Sequence, residues 1–323
     1  MNGKAVALIC GAERIIRGKR NFLELLCAGL FAGGHVLLDD NPGLGKTTAA
    51  KTIAALIGAD KEEEAVGGRG LVFKRIQFTP DLLPYDITGV DVFDAKTGGF
   101  RFVPGPVFSN IVLADEINRT TPKVQSALLE VMAEGQVTVG SVSHKTGDPF
   151  FVIATQNPVE SEGVFPLPAA QLDRFMLRLS LGYPDRGSEI ELLNGIAVEN
   201  ALYELTPVIS ARDFSAVRGA ARTVFCHDAI KEAIVDIVRE TRVSKAVLLG
   251  ASPRAALHLL AASRAYALIR GRSFVTDEDL AALAVPVLSH RLKLRDARGD
   301  CARLVRDITL SVIGKINTEN FQG

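Results

Sequence analysis

An α/β fold joined to an all-helical C-terminal domain is what this sequence predicts, and three observations carry the prediction. From about residue 35 to residue 181, short aliphatic runs alternate with helix-like patterns, the rhythm of strands each followed by a helix. After Tyr183, Pro184 and Asp185 that rhythm stops, and long amphipathic segments follow. The chain has 323 residues, enough for two domains that each bury a core. The boundary is placed near residue 186, giving domains over 1–186 and 187–323.

The aliphatic runs cover residues 36–38, 73–78, 111–114, 150–154 and 175–181. Each is short enough for a buried strand rather than a helix, and together they suit five strands of one sheet. Between the third and fourth runs, Val124, Ala127, Leu128, Val131 and Met132 recur at helical spacing. Thr121 stands as a cap and Pro122 as the first helical residue, so a helix is expected there. Two stretches break the rhythm. Residues 84–107, rich in Gly, Asp and Phe, and residues 137–147, alternating around a turn, read as hairpin insertions. Residues 59–70, with an acidic run and three glycines, read as a surface loop. In the C-terminal domain helices are expected over 188–198, 213–221, 229–241, 253–269, 277–285 and 302–313, the fifth introduced by Thr276 and an acidic first turn.

Composition excludes several function classes. Lys plus Arg number 37 and Asp plus Glu number 37, so attachment to nucleic acid or an acidic membrane by bulk charge is disfavoured. No segment approaches the roughly 18 uninterrupted apolar residues of a membrane span, and no membrane insertion is expected. The first ten residues lack a basic region followed by a long apolar run, so no secretory signal is expected. Cys10, Cys27, Cys226 and Cys301 are too far apart for a local zinc site or redox dithiol. They read as buried reduced thiols in a cytoplasmic protein.

Chemistry concentrates in three places. The first aliphatic run leads into Asp-Asp-Asn-Pro-Gly-Leu-Gly-Lys-Thr over residues 39–47, with a helical pattern after it. Pro42, Gly43, Leu44 and Gly45 then lie in the turn between a strand and a helix N-terminus, where backbone N–H groups and the helix dipole favour the phosphates of ATP. Lys46 would reach the β and γ oxygens, the Thr47 hydroxyl would complete Mg²⁺ coordination, and Thr48 continues the helix. Asp40 stands where such loops usually carry Gly. Asp tolerates a left-handed backbone, but a carboxylate beside the phosphates would weaken binding. The second place is Asp115 and Glu116, two acids after an aliphatic run, at a strand end where α/β proteins gather ligand groups. Asp115 would hold Mg²⁺ and Glu116 would polarise the attacking water; a solvated acidic turn is the plainer alternative. The third is Asn157, suited to orienting a water at a strand tip or, as Asn before Pro, to forming a turn.

Two arginines stay open on the residues alone. Arg254 follows Ser252 and Pro253 in a helix first turn, where the dipole disfavours a cation. It wants an anion, either a nucleotide phosphate or an ordinary carboxylate. Arg174, between a helix and a strand, is either a surface ion pair or an arginine finger offered to a neighbouring subunit.

At these residues the chain resembles an AAA+ ATPase of the MoxR family. Further strings carry the likeness: Phe-Lys-Arg-Ile-Gln-Phe-Thr-Pro from residue 73, Ala-Asp-Glu-Ile-Asn-Arg from 114, Ala-Thr-Gln-Asn-Pro from 154, Gln-Leu-Asp-Arg-Phe from 171 and Gly-Ala-Ser-Pro-Arg from 250. The resemblance implies an AAA+ core with a five-stranded parallel sheet flanked by helices, a helix-2 insert, a hairpin insertion and a helical lid. It also implies ring assembly, commonly a hexamer, with ATP bound between subunits. By family position Asn157 is similar to sensor 1, Arg254 to sensor 2 and Arg174 to the trans-acting finger. The implied function is chaperone-like remodelling of a client protein, with a von Willebrand A domain partner supplied as a separate chain. Asp40 and the long 59–70 loop depart from the family pattern. Two other functions share these motifs: an ATP-binding assembly switch with weak hydrolysis, and a related AAA+ motor of metal-chelatase or DNA-remodelling type.

Overall fold

Strand alternation sets the layering of this molecule. In the computed structural model, residues 1–41, 43–58, 71–157, 163–193, 202, 204–296 and 298–319 are described. Among them the strands are, in chain order, β1 (His35–Asp39), β2 (Ile57–Gly58), β3 (Phe73–Gln77), β4 (Gly89–Asp94), β5 (Gly99–Pro104), β6 (Ile111–Asp115) and β7 (Gln136–Val139). There follow β8 (Val142–Lys145), β9 (Phe151–Gln156), β10 (Phe175–Leu179), β11 (Ile209–Ser210), β12 (Val247–Leu249) and β13 (Lys293–Leu294).

The five expected strands form one sheet in the order β10-β1-β9-β6-β3, and every pairing within it is parallel. Successive side chains point to opposite faces, and the two hydrophobic clusters divide accordingly. Val36, Leu38, Ile111, Leu113, Phe151 and Ile153 join one cluster; Leu37, Val112, Ala114, Val152 and Ala154 join the other. Burial on both faces is why these three strands read as unbroken aliphatic runs. Strand β3 differs from the buried strand expected over 73–78. It lies at the sheet edge, and only Ile76 among its residues is buried. At the other edge β10 is buried at four of five positions because helices Arg20–Phe31 and Asp277–Leu288 cover it, and among the described residues no helix covers β3 to that extent.

The helix expected after Thr121 spans Pro122–Glu134 and packs its Val124, Leu128 and Val131 into the second cluster. Both insertions are hairpins, β4 with β5 and β7 with β8. Phe102 of the first stacks on His144 of the second with ring centroids 4.0 Å apart, so the hairpins are joined side chain to side chain.

Sequence reasoning passed over the first 34 residues, which form helices Asn2–Glu13 and Arg20–Phe31. In the second, ten of twelve residues are buried. With nearly every position buried, the polar face that marks a surface helix is confined to Arg20 and Asn21. This helix lies between the sheet and the long helix Pro253–Ile269, and Glu24 within it pairs with Arg20 at 3.1 Å and with Arg270 of the C-terminal region at 2.8 Å. The first cluster therefore runs without a break from Leu8 and Leu26 through Leu177 to Leu259, Leu283 and Val305.

Beyond residue 186 the described helices are Arg186–Leu193, Ala211–Arg222, Asp228–Val243, Pro253–Ile269, Asp277–Leu288 and Cys301–Glu319. Residues 194–198 of the first expected helix, like the 59–70 loop, lie outside the described residues. The helix from Asp277 continues past the expected stop at 285, carrying Pro286 in its last turn. This region is not wholly helical: β11 pairs with β2, and β12 with β13. Two residues or three per strand are too few for alternation to be legible. Cys27 and Cys226 are buried, and burial pushes the Cys27 thiol up to about 12. Cys10 is exposed and Cys301 only half-buried, contrary to the expectation that all four are buried. Among the described residues no helix is long and apolar enough to cross a membrane.

A buried arginine fastens the C-terminal helices to the sheet. Arg291 donates through Nε to Asp173 at 2.8 Å and through Nη2 to the Phe175 carbonyl at 2.6 Å. It also lies 2.6 Å from Nδ1 of His258, whose imidazole is pulled down to about 4 by burial and by the Arg291 charge. Ser252 adds a hydroxyl donor to the same Asp173 carboxylate at 3.0 Å. Removing one partner of a buried pair strands the other charge. Asp173→Ala is therefore expected to destabilise the protein by roughly 2–3 kcal/mol, read as a lowered urea midpoint; an unchanged midpoint would show that Arg291 is satisfied without it.

Candidate functional site

In a parallel sheet the carboxyl ends of all strands lie along one edge, and the predicted residues meet there. Asp39 at the end of β1 is in register with Gln156 at the end of β9, and Asp115 at the end of β6 with Gln77 at the end of β3. The order β1-β9-β6 thus sets the loop after β1 next to the two strands that carry the acid pair and Asn157.

The loop after β1 enters the helix Lys46–Ala55. Gly43 and Gly45 both adopt left-handed backbone, φ +82° and +85°, which a side chain would strain. A Cβ at Gly43 would meet nothing within 4 Å, so conformation rather than crowding explains glycine there. Gly45 caps the helix and no side chain accepts from its first-turn amides, which leaves those donors for an anion. Leu44 and Thr48 are half-buried on either side of Lys46 and Thr47; Pro42 lies outside the described residues.

Lys46 reaches across the sheet edge. Its Nζ donates to the Gln156 carbonyl at 3.0 Å and to the Asp40 carbonyl. Burial pulls the ammonium below its ordinary value, opposed by the carboxylates of Asp40, Asp115, Asp39 and Glu116. The Thr47 hydroxyl donates to Oδ2 of Asp115 at 3.1 Å. Thr155 on β9 donates to Oδ1 of Asp115 at 2.6 Å and accepts from the Glu116 amide at 2.9 Å. Burial pushes the Asp115 carboxyl up, but hydrogen bonds from Thr155, Arg75 and Thr47 and the Arg75 charge outweigh it and hold the group below the usual carboxylate range.

Glu116 sits immediately past β6 in left-handed backbone, φ +58°. Among the described residues it is the one non-glycine with positive φ, and strain of this kind gathers at functional positions. Its carboxylate accepts from Gln77 Nε2 at 2.8 Å and lies 3.3 Å from Arg119 Nε. A freely solvated acidic turn is thereby excluded. Asn157 is buried at the tip of β9, and its carbonyl accepts from Asn118 Nδ2 at 3.2 Å.

The structure brings Lys46, Thr47, Asp115, Glu116 and Asn157 together. It does not join Arg174 or Arg254 to them by a bond among the described residues. Arg174 is half-buried and donates through Nη1 to the Leu129 carbonyl. Arg254 is exposed in the first turn of Pro253–Ile269 and makes no ion pair among the described residues, so the ordinary carboxylate partner weighed for it is absent there.

Asp40 corrects an expectation. It is not left-handed, and its buried carboxylate accepts from Ser180 Oγ at 2.6 Å, Leu181 N at 2.5 Å and Gly182 N at 3.3 Å. The side chain is occupied with the segment that follows β10. Arg75, Gln77 and Thr155 were missed by sequence reasoning. Arg75 and Gln77 stand two residues apart on one face of β3, and the signal was available: charged and polar residues at 74, 75 and 77 do not suit a strand buried on both faces.

Comparison with known proteins fits this geometry. Residues 35–177 match the family model described as the ATPase family associated with various cellular activities (AAA), and residues 239–308 match an AAA lid domain. The protein YeaC of Bacillus subtilis is 49% identical over 90% of this chain and 87% of its own. Chaperone MoxR1 of Mycobacterium tuberculosis is 41% identical over 89% of this chain and 75% of its own. A crystal structure of a protein from Cytophaga hutchinsonii superposes with a TM-score of 0.84 at 36% identity, over 95% of this chain and 93% of that one.

Replacing Asp40 by glycine leaves three donors without their acceptor. Asp40→Gly is expected to lose roughly 1–3 kcal/mol of unfolding free energy, measured by chemical denaturation of the free protein. Wild-type stability would mean that the contacts with Ser180, Leu181 and Gly182 contribute nothing.

Proposed function

The chain belongs to the MoxR family of AAA+ ATPases, and on that premise we propose that it is a magnesium-dependent ATPase working as a ring, a hexamer, that remodels or activates a client protein in the cytoplasm. The observation that carries the reading is the contact between Thr47 and Asp115 at 3.1 Å. It ties the glycine loop to the acid pair, as coordination of a nucleotide-bound metal requires.

The residues suit both ATP and Mg²⁺. The left-handed glycines and the uncapped helix amides offer a cradle for phosphates, while a hydroxyl and a carboxylate are the hard oxygen donors Mg²⁺ prefers. Gly43, Leu44 and Gly45 would bind the phosphates through backbone amides, with Pro42 and Thr48 flanking them, and Lys46 would exchange its two carbonyl partners for phosphate oxygens. Thr47 and Asp115 would hold Mg²⁺, which when bound neutralises charge on the phosphates. Glu116 would take the proton of the attacking water, and Asn157 would orient that water. Arg254 would sense the nucleotide from the helical domain. Arg174, near the surface and unpaired with any carboxylate among the described residues, would serve a neighbour's site. A division at residue 186 into nucleotide-binding core and lid is supported by family models on either side of it. The von Willebrand A partner, as a separate chain, belongs to the same proposal.

Two contacts favour a second reading, an ATP-binding assembly switch with weak hydrolysis. Gln77 and Arg119 both engage the Glu116 carboxylate, which a general base must have free. Turnover separates the two. Lys46→Ala is expected to lose ATP binding. Glu116→Gln is expected to bind ATP and release phosphate about 10²–10⁴-fold more slowly; wild type and Glu116→Gln releasing phosphate equally slowly would leave the switch.

For the ring, Arg174→Ala subunits are expected to bind ATP without hydrolysing it, and mixing them with Lys46→Ala subunits should restore phosphate release. A monomer that turns over ATP at full rate would sink the assignment. Stimulation of turnover by DNA would point to a DNA-remodelling motor instead of a protein-directed one.

A further inference from the structure

Asp115 is crowded on one oxygen. Oδ1 takes the Thr155 hydroxyl at 2.6 Å. Oδ2 takes three donors: the Thr47 hydroxyl at 3.1 Å, Arg75 Nε at 3.0 Å and Arg75 Nη2 at 2.7 Å. Each carboxylate oxygen has about two acceptor sites, so none is left on Oδ2 for a further ligand. The Asp115 side chain is 9% exposed and that of Arg75 is 45% exposed. The guanidinium therefore stands on the solvent side of a nearly buried acid.

A divalent cation that uses Oδ2 of Asp115 meets one neutral hydroxyl donor and one full positive charge. Hydroxyls can rotate and offer their lone pairs to a metal. A guanidinium has no lone pair to offer, stays protonated at any working pH and repels the ion. Of the two residues that donate to Oδ2, Arg75 alone must leave. It keeps a second acceptor when it leaves, because Nη2 also donates to Gln77 Oε1 at 2.6 Å, a neutral group on the same strand face.

We propose that Arg75 is the counter-ion that competes with Mg²⁺ for Asp115, and that it sets how much Mg²⁺ the site needs before nucleotide is bound tightly. Arg75 acts through Asp115 and is a positioning residue. The inference rests on the proposed role of Asp115 toward the metal. Its energetic weight is that of a half-exposed ion pair, which salt screens and which is worth a small factor in an equilibrium constant.

The test is the Mg²⁺ concentration that half-saturates tight binding of a fluorescent ADP analogue, titrated on the full chain. In Arg75→Gln that concentration is expected to fall roughly two- to fivefold, the range of a half-exposed ion pair, while binding of the analogue in excess chelator stays unchanged. Arg75→Lys keeps a positive charge and is expected to stay near wild type, which separates charge competition from loss of the planar side chain. A raised or unchanged Mg²⁺ requirement in Arg75→Gln overturns the proposal, since either means that Arg75 holds Asp115 in place rather than competing for it. Asp115→Asn distinguishes failure of the underlying reading: if it leaves the Mg²⁺ dependence of wild type intact, Asp115 is not the metal residue.

Discussion

The carboxylate of Asp115 is where the architecture and the chemistry of this protein meet. Held by Thr47 from the first turn of the helix after the glycine loop, by Thr155 from β9 and by Arg75 from β3, it links three strands and that helix at one point. Parallel pairing makes this convergence possible, because only then do β1, β9, β6 and β3 all end on the same edge. A one-residue slip between β6 and β9 would turn every side chain to the wrong face. It would break both hydrophobic clusters and separate Thr155 from Asp115 at once. Core packing therefore enforces the register that the site requires, and the site needs no separate device to set it.

The same edge explains why charge balance over the whole chain says little about local chemistry. Lys46 is surrounded by the carboxylates of Asp39, Asp40, Asp115 and Glu116, which oppose the effect of its burial. Those acids are in turn individually occupied: Asp40 by the segment after β10, Asp115 by hydroxyls and Arg75, Glu116 by Gln77 and Arg119. A compact group of opposite charges in which each has an assigned donor is stable without being inert. Every one of its hydrogen bonds is a group that an incoming phosphate or metal ion has to displace or join.

Packing of the C-terminal helices follows a different logic. Helix Arg20–Phe31 fills the space between the sheet and Pro253–Ile269, while Arg291 reaches from the helical region to the start of β10. Asp173, which Arg291 and Ser252 both grip, directly precedes Arg174, and Ser252 lies two residues before Arg254. The two arginines that no bond connects to the acid pair are thus tied to one another through a single half-buried carboxylate.

The chain by itself determined the five strands, the two hairpins, the glycine loop and the acid pair, since each rests on local pattern: short aliphatic runs, left-handed glycines, acids at a strand end. Of the helices before residue 34, Arg20–Phe31 carried no such pattern because nearly every position is buried, and in Asn2–Glu13 the continuous apolar run over 5–10 hides the buried face. The paired dipeptides Ile57–Gly58 and Ile209–Ser210 were too short to show one. Only the tertiary structure decided that 73–77 is an edge strand and that Asp40 serves the segment after β10. It alone placed Arg75 and Gln77 over the two acids. Those outcomes depend on which strand lies beside which, a choice made by long-range burial and strand order, and no residue's near neighbours in sequence record it.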